Sequence, residues 1–405
     1  MLEKAWPLLL LNLFAAALAG TLMRLAFVVE LPWMDYYNVL HAHSHFAMMG
    51  WAWPALYLLL YREFVPPTHR DRRWRQLFLA LVATTWALFV AFWVQGYAAW
   101  SIAFSTLFLL LAYAFAWRLW PHLPKGTPAG MLARAAIAFM ALSTLALWAM
   151  PALMLTDLRG SAWYYMAVQF FLHFQFNGWF LFGILALGFR LIEAMGIDLP
   201  VGKVRRFLWW LSASCLLTYA LAVTWSNPRP WLFALNSAGV VVQAVALWFF
   251  LALIRPHFGA LRTRLDGIVQ LLLGIALLAF VLKVAIQTAV VLPFIAKVAY
   301  TIRNFVIGFI HLILLGVVTC GLLGFSAFRQ MWPARSRHAR LGLAAFLGGL
   351  VGTESWLFLQ GLFFWGAWGF LPATYEVLFG LTVLLPLGIG LLAWAALVSP
   401  SQVER

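Results

Sequence analysis

Charged side chains are scarce in this sequence of 405 residues, where Asp, Glu, Lys and Arg together make up 10%. Soluble domains carry about 25% of these residues. Hydrophobic residues account for 65% of the chain, and the mean hydropathy is +0.92. The shortage of charge therefore excludes an ordinary soluble globular domain and predicts an integral membrane protein.

Cysteine is also rare, since Cys215 and Cys320 are the only two and both fall in apolar stretches. Two isolated cysteines exclude a disulfide framework, and the sequence contains no Cys-x-x-Cys-His pattern for covalent haem attachment. The first apolar run has no small-residue cleavage site before the chain continues, so we expect no cleavable signal peptide.

Acidic residues are outnumbered by basic ones, with 12 Asp and Glu against 27 Lys and Arg and a net charge of +15. Such an excess can indicate nucleic-acid binding. Here the basic residues lie in alternate connections between apolar runs, which is the distribution expected for cytoplasmic loops. We therefore expect a lipid bilayer as the partner and no nucleic acid.

Long apolar runs dominate what remains. A spanning helix needs about 20 mostly apolar residues. Twelve stretches qualify as spans 1 to 12, centred near residues 17, 49, 85, 108, 143, 177, 215, 241, 278, 314, 355 and 387. We predict an all-α polytopic membrane bundle of about 12 transmembrane helices, forming one membrane domain over residues 1–405.

The distribution of basic residues predicts the orientation of this bundle. The connection between spans 2 and 3 alone carries Arg62, Arg70, Arg72, Arg73 and Arg75. The connections that follow odd-numbered spans together hold only four basic residues, Arg159, Arg229, Lys297 and Arg303. Because cytoplasmic loops are rich in Lys and Arg, we expect cytoplasmic N- and C-termini and insertion into the inner (cytoplasmic) membrane of the cell.

Five of the nine histidines fall within predicted spans: His41, His43 and His45 in span 2, His173 in span 6 and His311 in span 10. Three of the five begin the same pattern, H-x4-G, and successive copies are about four spans apart. The chain therefore reads as three pseudo-repeats of four helices, covering approximately residues 1–62 with 339–405, 74–193 and 203–330. Repeats of this kind often place a site where they meet.

Histidine inside a membrane marks a functional site by default, because a polar side chain in hydrocarbon is costly. Neutral imidazole is also a common ligand of haem iron, copper and zinc. His41 and His45 are four residues apart and share a helix face, so they can bind one ion, whereas His43 points to nearly the opposite face. Interhelical hydrogen bonding is the structural alternative.

The segment His43-Ser-His45-Phe-Ala-Met-Met-Gly50-Trp51 resembles the H-x-H-x4-G-W helix of subunit I in the C-type and nitric-oxide-reductase branches of the haem-copper oxidase superfamily. It is also similar to the H-x-H-x4-G motif of NnrS-type haem- and copper-containing membrane proteins. Twelve helices in groups of four, with histidines on spans 2, 6 and 10, extend the resemblance over the whole chain. It implies a haem-binding protein of redox or nitric oxide chemistry, served by a redox partner protein or quinol.

The resemblance also implies a set of ligands. One or two b-type haems would use His43, His45, His173 and His311, with His311 paired to His43 or His45 in a bis-histidine haem. His173 and the other span 2 histidine would face a second pocket, and His41, His45 and His173 are the candidate metal ligands, with copper as the metal. Which histidine of span 2 serves which pocket stays open.

The sequence departs from the oxidases in two places. Their H-x-H pair lies on the tenth helix, whereas here it lies on span 2. Their adjacent copper-binding histidines on the seventh helix have no counterpart, because the corresponding stretch reads Phe207-Leu-Trp-Trp-Leu-Ser. The standard three-histidine copper site is therefore not found, which disfavours oxygen reduction and leaves open whether the protein is an oxidoreductase at all.

Four further ionisable residues fall within or beside spans: Arg24, Lys283, Arg303 and Glu354. The two arginines are candidates for binding haem propionates, and Lys283 and Glu354 for a proton path, while structural ion pairs or snorkelling explain them equally well.

The same intramembrane histidines also fit a second class of function. In that alternative the protein is a membrane transporter or metal-ion permease.

Overall fold

The computed structural model describes residues 2–398, without the side chains of residues 3 and 4. Within that range the chain is helical throughout and contains no β-strand. Eleven helices of the described part are long and apolar enough to cross a membrane. The predicted class, an all-α polytopic membrane bundle, is confirmed.

The principal helices are numbered α1 to α12 and correspond one to one with the predicted spans; short helices in the connections stay unnumbered. The bounds are α1 Trp6–Leu25, α2 36–64, α3 Arg72–Gln95, α4 Ala99–Leu119, α5 Pro128–Met154, α6 Ala162–Ala194, α7 Val201–Ser226, α8 Pro230–Ile254, α9 Gly267–Ala289, α10 Arg303–Phe328, α11 Arg337–Trp365 and α12 Thr374–Val398.

Of the twelve principal helices in the described chain, only α2 is not among the eleven that are long and apolar enough to cross a membrane. It is continuous from residue 36 to residue 64 and is long enough to span a bilayer. Its first half is polar, since it contains His41, His43 and His45. The number of twelve membrane-crossing helices therefore stays a prediction.

Several helices begin at a side chain that accepts a hydrogen bond from the otherwise unpartnered N–H groups of the first turn. Asp35 accepts from the backbone N–H of Asn38 at 3.0 Å at the start of α2. Asp71 caps α3 in the same way, and Ser336 caps α11. These caps lie in connections that the sequence analysis predicts between successive spans.

Large apolar side chains lie exposed on the flanks of these helices. Val94 is 74% exposed, Trp117 83% and Trp209 72%. A soluble protein rarely leaves so many such groups in contact with water. In a helical bundle of this length the exposed apolar faces contact the hydrocarbon of a lipid bilayer.

The described chain divides into two compact units. The first comprises the described part of Met1–His122 and Leu322–Arg405. In it, α12 packs against α1 and α11, and α3 packs against α2 and α4. The borders of the units differ from those of the predicted pseudo-repeats, which stay a prediction.

The second unit is Leu123–Gly321. Its helix α6 packs against α5 and α7, and α8 packs against both α7 and α9. The interior half of α6 is the most enclosed segment in this unit, since 83% of its most apolar window is buried. The unit is therefore built around α6, which carries His173.

Gly178 permits the close approach of α5 to α6. A Cβ atom at this position would lie 2.4 Å from the Cβ of Phe139, a separation that real contacts do not show. Gly188, two and a half turns further along α6, has no neighbouring atom within 4 Å of its would-be Cβ. Only the first of these two glycines is therefore required by packing.

We predict that Gly178→Ala lowers the free energy of unfolding by about 1–3 kcal/mol, because the added methyl group overpacks the α5–α6 contact. Gly188→Ala is the matched control on the same helix, and it should leave stability unchanged or raise it by up to about 1 kcal/mol. Thermal unfolding in detergent checks both variants. Equal losses in the two would contradict the packing of α5 on α6.

Candidate functional site

Each of the three H-x4-G copies coincides with a π-helical segment, a feature that the sequence analysis missed. The segments are Phe46–Ala52 in α2, Gln175–Phe180 in α6 and Leu312–Thr319 in α10. In each copy the histidine lies one or two residues before the segment and the glycine lies inside it. A π-helical turn is rare and occurs often at functional sites. The spacing of five residues, which equals the span of an i→i+5 hydrogen bond, was the available signal.

In the first unit, Asn12 of α1 supports the π-helical segment of α2. Its Nδ2 donates to the carbonyl oxygen of Gly50 at 2.6 Å, and its Oδ1 accepts from the indole Nε1 of Trp86 at 3.0 Å. Asn12 is fully buried. A π-helical turn disturbs the regular i→i−4 ladder, and this amide supplies a partner at that point.

The second unit supports its own π-helical segments differently. In α6, the amide of Gln175 donates to Ser143 Oγ at 2.8 Å, and Asn177 Nδ2 donates to the carbonyl oxygen of His173 at 3.2 Å. In α10, a Cβ atom on Gly316 would lie 2.8 Å from the Cβ of Ala279 in α9. The glycine of the motif thus permits close helix packing in these two copies.

His43 is oriented by α1. Its Nδ1 lies 2.8 Å from the carbonyl oxygen of Ala16, and because a carbonyl can only accept, Nδ1 carries the proton. The ring also lies against Gly20, where an added Cβ would come within 2.8 Å of Cε1. The lone pair of this tautomer is on Nε2. Metal-bound histidines are commonly oriented by such an Nδ1–H to carbonyl bond.

His41 and His45 form a cluster with Tyr97 and Phe92 in the first unit. The Nδ1 of His45 donates to the carbonyl oxygen of His41 at 2.9 Å, and its Nε2 accepts from the hydroxyl of Tyr97 at 3.1 Å. The His41 ring lies 4.6 Å from the Tyr97 ring, and the His45 ring lies 4.3 Å from the Phe92 ring. Tyr97 is a site residue that the sequence analysis did not identify, because it lies in the loop after α3.

His173 has the opposite tautomer. Its Nε2 donates to the carbonyl oxygen of Cys215 in α7 at 2.7 Å, which leaves the lone pair on Nδ1, 3.4 Å from the amide nitrogen of Asn177. This is the interhelical hydrogen bond that the structural alternative expects. Metal ligation through Nε2 would replace the bond to α7.

The remaining predicted residues are distributed between the two units. In the first, Arg24 is half-buried on α1 and Glu354 is buried on α11. In the second, Lys283 is buried on α9, Arg303 is exposed at the start of α10, and His311 is half-buried directly before its π-helical segment.

In residues 2–398 no group of three or more His, Cys, Asp or Glu side chains is arranged to hold a metal ion. The rings of His41 and His45 have centroids 6.2 Å apart, and both belong to the first unit. His173 belongs to the second unit. Their role as metal ligands stays a prediction.

We predict that Asn12→Leu lowers the free energy of unfolding by about 1–3 kcal/mol, because the Gly50 carbonyl and the Trp86 indole each lose a buried partner. The control is Thr106→Val, which removes an exposed hydroxyl bonded to the carbonyl of Ile102 in its own helix. Thermal unfolding in detergent gives both values. A neutral Asn12→Leu would show that α1 does not support the π-helical segment.

Comparison with models of known protein families gives no match, and comparison with curated proteins gives none either. The resemblance to haem-copper oxidases therefore rests on the motif and the helix pattern alone. What the chain does must be argued from the geometry of its intramembrane histidines.

Proposed function

We propose that this membrane protein binds haem through the histidines of α2 and acts in redox or nitric oxide handling in the inner membrane, with both termini in the cytoplasm. One observation carries the proposal: three intramembrane histidines each precede a π-helical segment at the same position of the motif. A π-helical turn in the same place three times indicates selection for a site, because regular helix would satisfy the backbone at lower cost.

The donor chemistry at His43 fits an axial haem ligand. Its bond to the Ala16 carbonyl holds the ring with the lone pair on Nε2, and a neutral imidazole is the most common protein ligand of b-type haem. A haem needs at most two histidine ligands from the protein. The absence of groups of three or more candidate metal ligands in the described chain therefore does not argue against haem binding. Among the histidines described, His43 is the one that we assign first.

The face of α1 beside His43 supplies more than orientation. Ala16, Gly20 and Arg24 are spaced by four residues, so they lie along one stripe of α1. The first accepts from His43, and the second contacts its ring. Arg24 lies one turn further along the same stripe, and its guanidinium is suited to bind a haem propionate as a charge-assisted hydrogen-bond donor.

Bound haem supplies one-electron chemistry and binding of small diatomic ligands such as nitric oxide. The residues of this chain would hold and orient it: His43 as ligand, Arg24 as anchor, and Gly20 as the small residue that leaves room for the imidazole beside α1. His45, His173 and His311, which lie one or two residues before the three π-helical segments, are our candidates for additional haem or copper ligands.

Purified protein from haem-supplied cells is expected to show a b-type α band in the reduced-minus-oxidised spectrum and a positive pyridine haemochrome assay. His43→Ala should lose most of this haem, because an axial ligand is removed. Gly20→Ala should lower haem content while keeping His43, because the added methyl group displaces the imidazole ring.

His338→Ala is the matched control, since His338 is exposed at the start of α11 and lies outside the histidine motifs. Its haem content should equal that of the wild type. A colourless wild-type protein would rule out the haem proposal, and an unchanged spectrum in His43→Ala would move the ligand to another histidine.

A transporter or metal-ion permease is the second candidate, and it is favoured by one observation. The π-helical segments interrupt regular helix in α2, α6 and α10, and helix interruptions are typical of transport sites. Uptake of copper or zinc ions into proteoliposomes by haem-free protein, abolished in His45→Ala, would support this candidate over haem binding.

A further inference from the structure

The second unit buries several polar atoms that have no hydrogen-bond partner in the described residues. Among them are Lys283 Nζ and four amide oxygens, those of Asn177, Asn236, Gln243 and Gln287. All five residues are at least nine-tenths buried, and Lys283 is 2% exposed. A buried polar atom without a partner loses its full hydration, and inside a bilayer that loss is especially costly. Five such atoms in one helical unit indicate that something binds them.

Lys283 lies close to two residues of neighbouring helices. Electrostatic interactions link it to His173 of α6 and to Cys215 of α7. Those two residues are joined by the hydrogen bond from His173 Nε2 to the Cys215 carbonyl. Asn177 bonds to the same histidine, which places its unpartnered oxygen beside this group.

The other amides come from α8 and α9. Gln287 follows Lys283 by four residues, so both lie on one face of α9. On α8, Gly239 packs against the backbone of Thr218 in α7, and Gln243 lies one turn beyond Gly239 in the direction that leads along α7 toward Cys215. Asn236 donates to the carbonyl oxygen of Val290 and so joins α8 to the end of α9.

The unpartnered atoms are chemically complementary. A lysine ammonium has three donor hydrogens and no acceptor, whereas every unpartnered amide atom in this group is an acceptor oxygen. The lysine nevertheless makes no direct hydrogen bond to any of them. Water molecules can bridge buried donors and acceptors that make no direct hydrogen bond to each other.

We infer that the second unit contains a polar site, lined by α6, α7, α8 and α9, that binds a cluster of water molecules around the amine of Lys283. Titratable groups that interact with this amine include His173 of α6 and Cys215 of α7, while α8 contributes amides. The amine of Lys283 exchanges its protons with the bound water. This inference does not depend on haem binding.

Hydroxyl-radical labelling by X-ray radiolysis in nanodiscs tests the site, because radicals form from bound water beside the side chains that they modify. Cys215 should be labelled several-fold faster than Cys320, although both are free and buried, at 2% and 0% exposure. Cys320 is the internal control because α10, on which it lies, contributes none of the unpartnered atoms found in the described chain.

Lys283→Met should reduce the labelling of Cys215 several-fold, since the amine that holds the water is removed. Lys297→Met, at an exposed lysine on the short helix Pro293–Thr301, is the matched control and should leave labelling unchanged. If Lys283→Met does not fold, Gln243→Leu should give the same reduction.

Equal labelling of Cys215 and Cys320 in the wild type would overturn the water site. Undiminished labelling of Cys215 in folded Lys283→Met would overturn the role of Lys283. The haem spectrum, recorded on the same samples, reports separately on the proposed function, so failure of one does not imply failure of the other.

Discussion

A backbone inside a lipid bilayer must satisfy its own hydrogen bonds, because hydrocarbon offers no partners. Regular α-helix meets this requirement without help, and most of this chain is regular helix. The three π-helical segments depart from it and need support from their neighbours. Asn12 provides that support for α2, and the amides of Gln175 and Asn177 lie within the segment of α6. These three polar residues are therefore tied to the places where α2 and α6 are irregular.

The histidine rings also depend on hydrogen bonds with neighbouring residues. His43 is held by a carbonyl of α1, His45 by the carbonyl of His41 and the Tyr97 hydroxyl, and His173 by a carbonyl of α7. Each imidazole thus has a defined tautomer, set by a backbone acceptor. Because the lone pair is on Nε2 in His45 and on Nδ1 in His173, these two motif histidines present different atoms to a ligand, and the first two copies of the motif are not equivalent in chemistry.

The second unit adds a different kind of polar interior. Lys283 offers an unpartnered donor nitrogen, and four amides of the same unit offer unpartnered acceptor oxygens, with no direct hydrogen bond between them. Structural ion pairing, one of the readings of this lysine from the sequence, would need an acidic partner, and the groups that interact with it are a histidine and a cysteine. A hydrated site explains why so many amide oxygens surround one amine.

The sequence by itself determined the class of the protein and the places of its helices. Spanning segments need a length of apolar chain that can be counted, and the H-x4-G repeats could be recognised from spacing alone. Only the tertiary structure decided what the motifs do locally. Neither the π-helical segments nor the roles of Asn12 and Tyr97 followed from periodicity, since they depend on which carbonyl or hydroxyl a neighbouring helix brings near. Ligand geometry depends on such contacts between segments distant in sequence, whereas membrane insertion depends on local hydrophobicity.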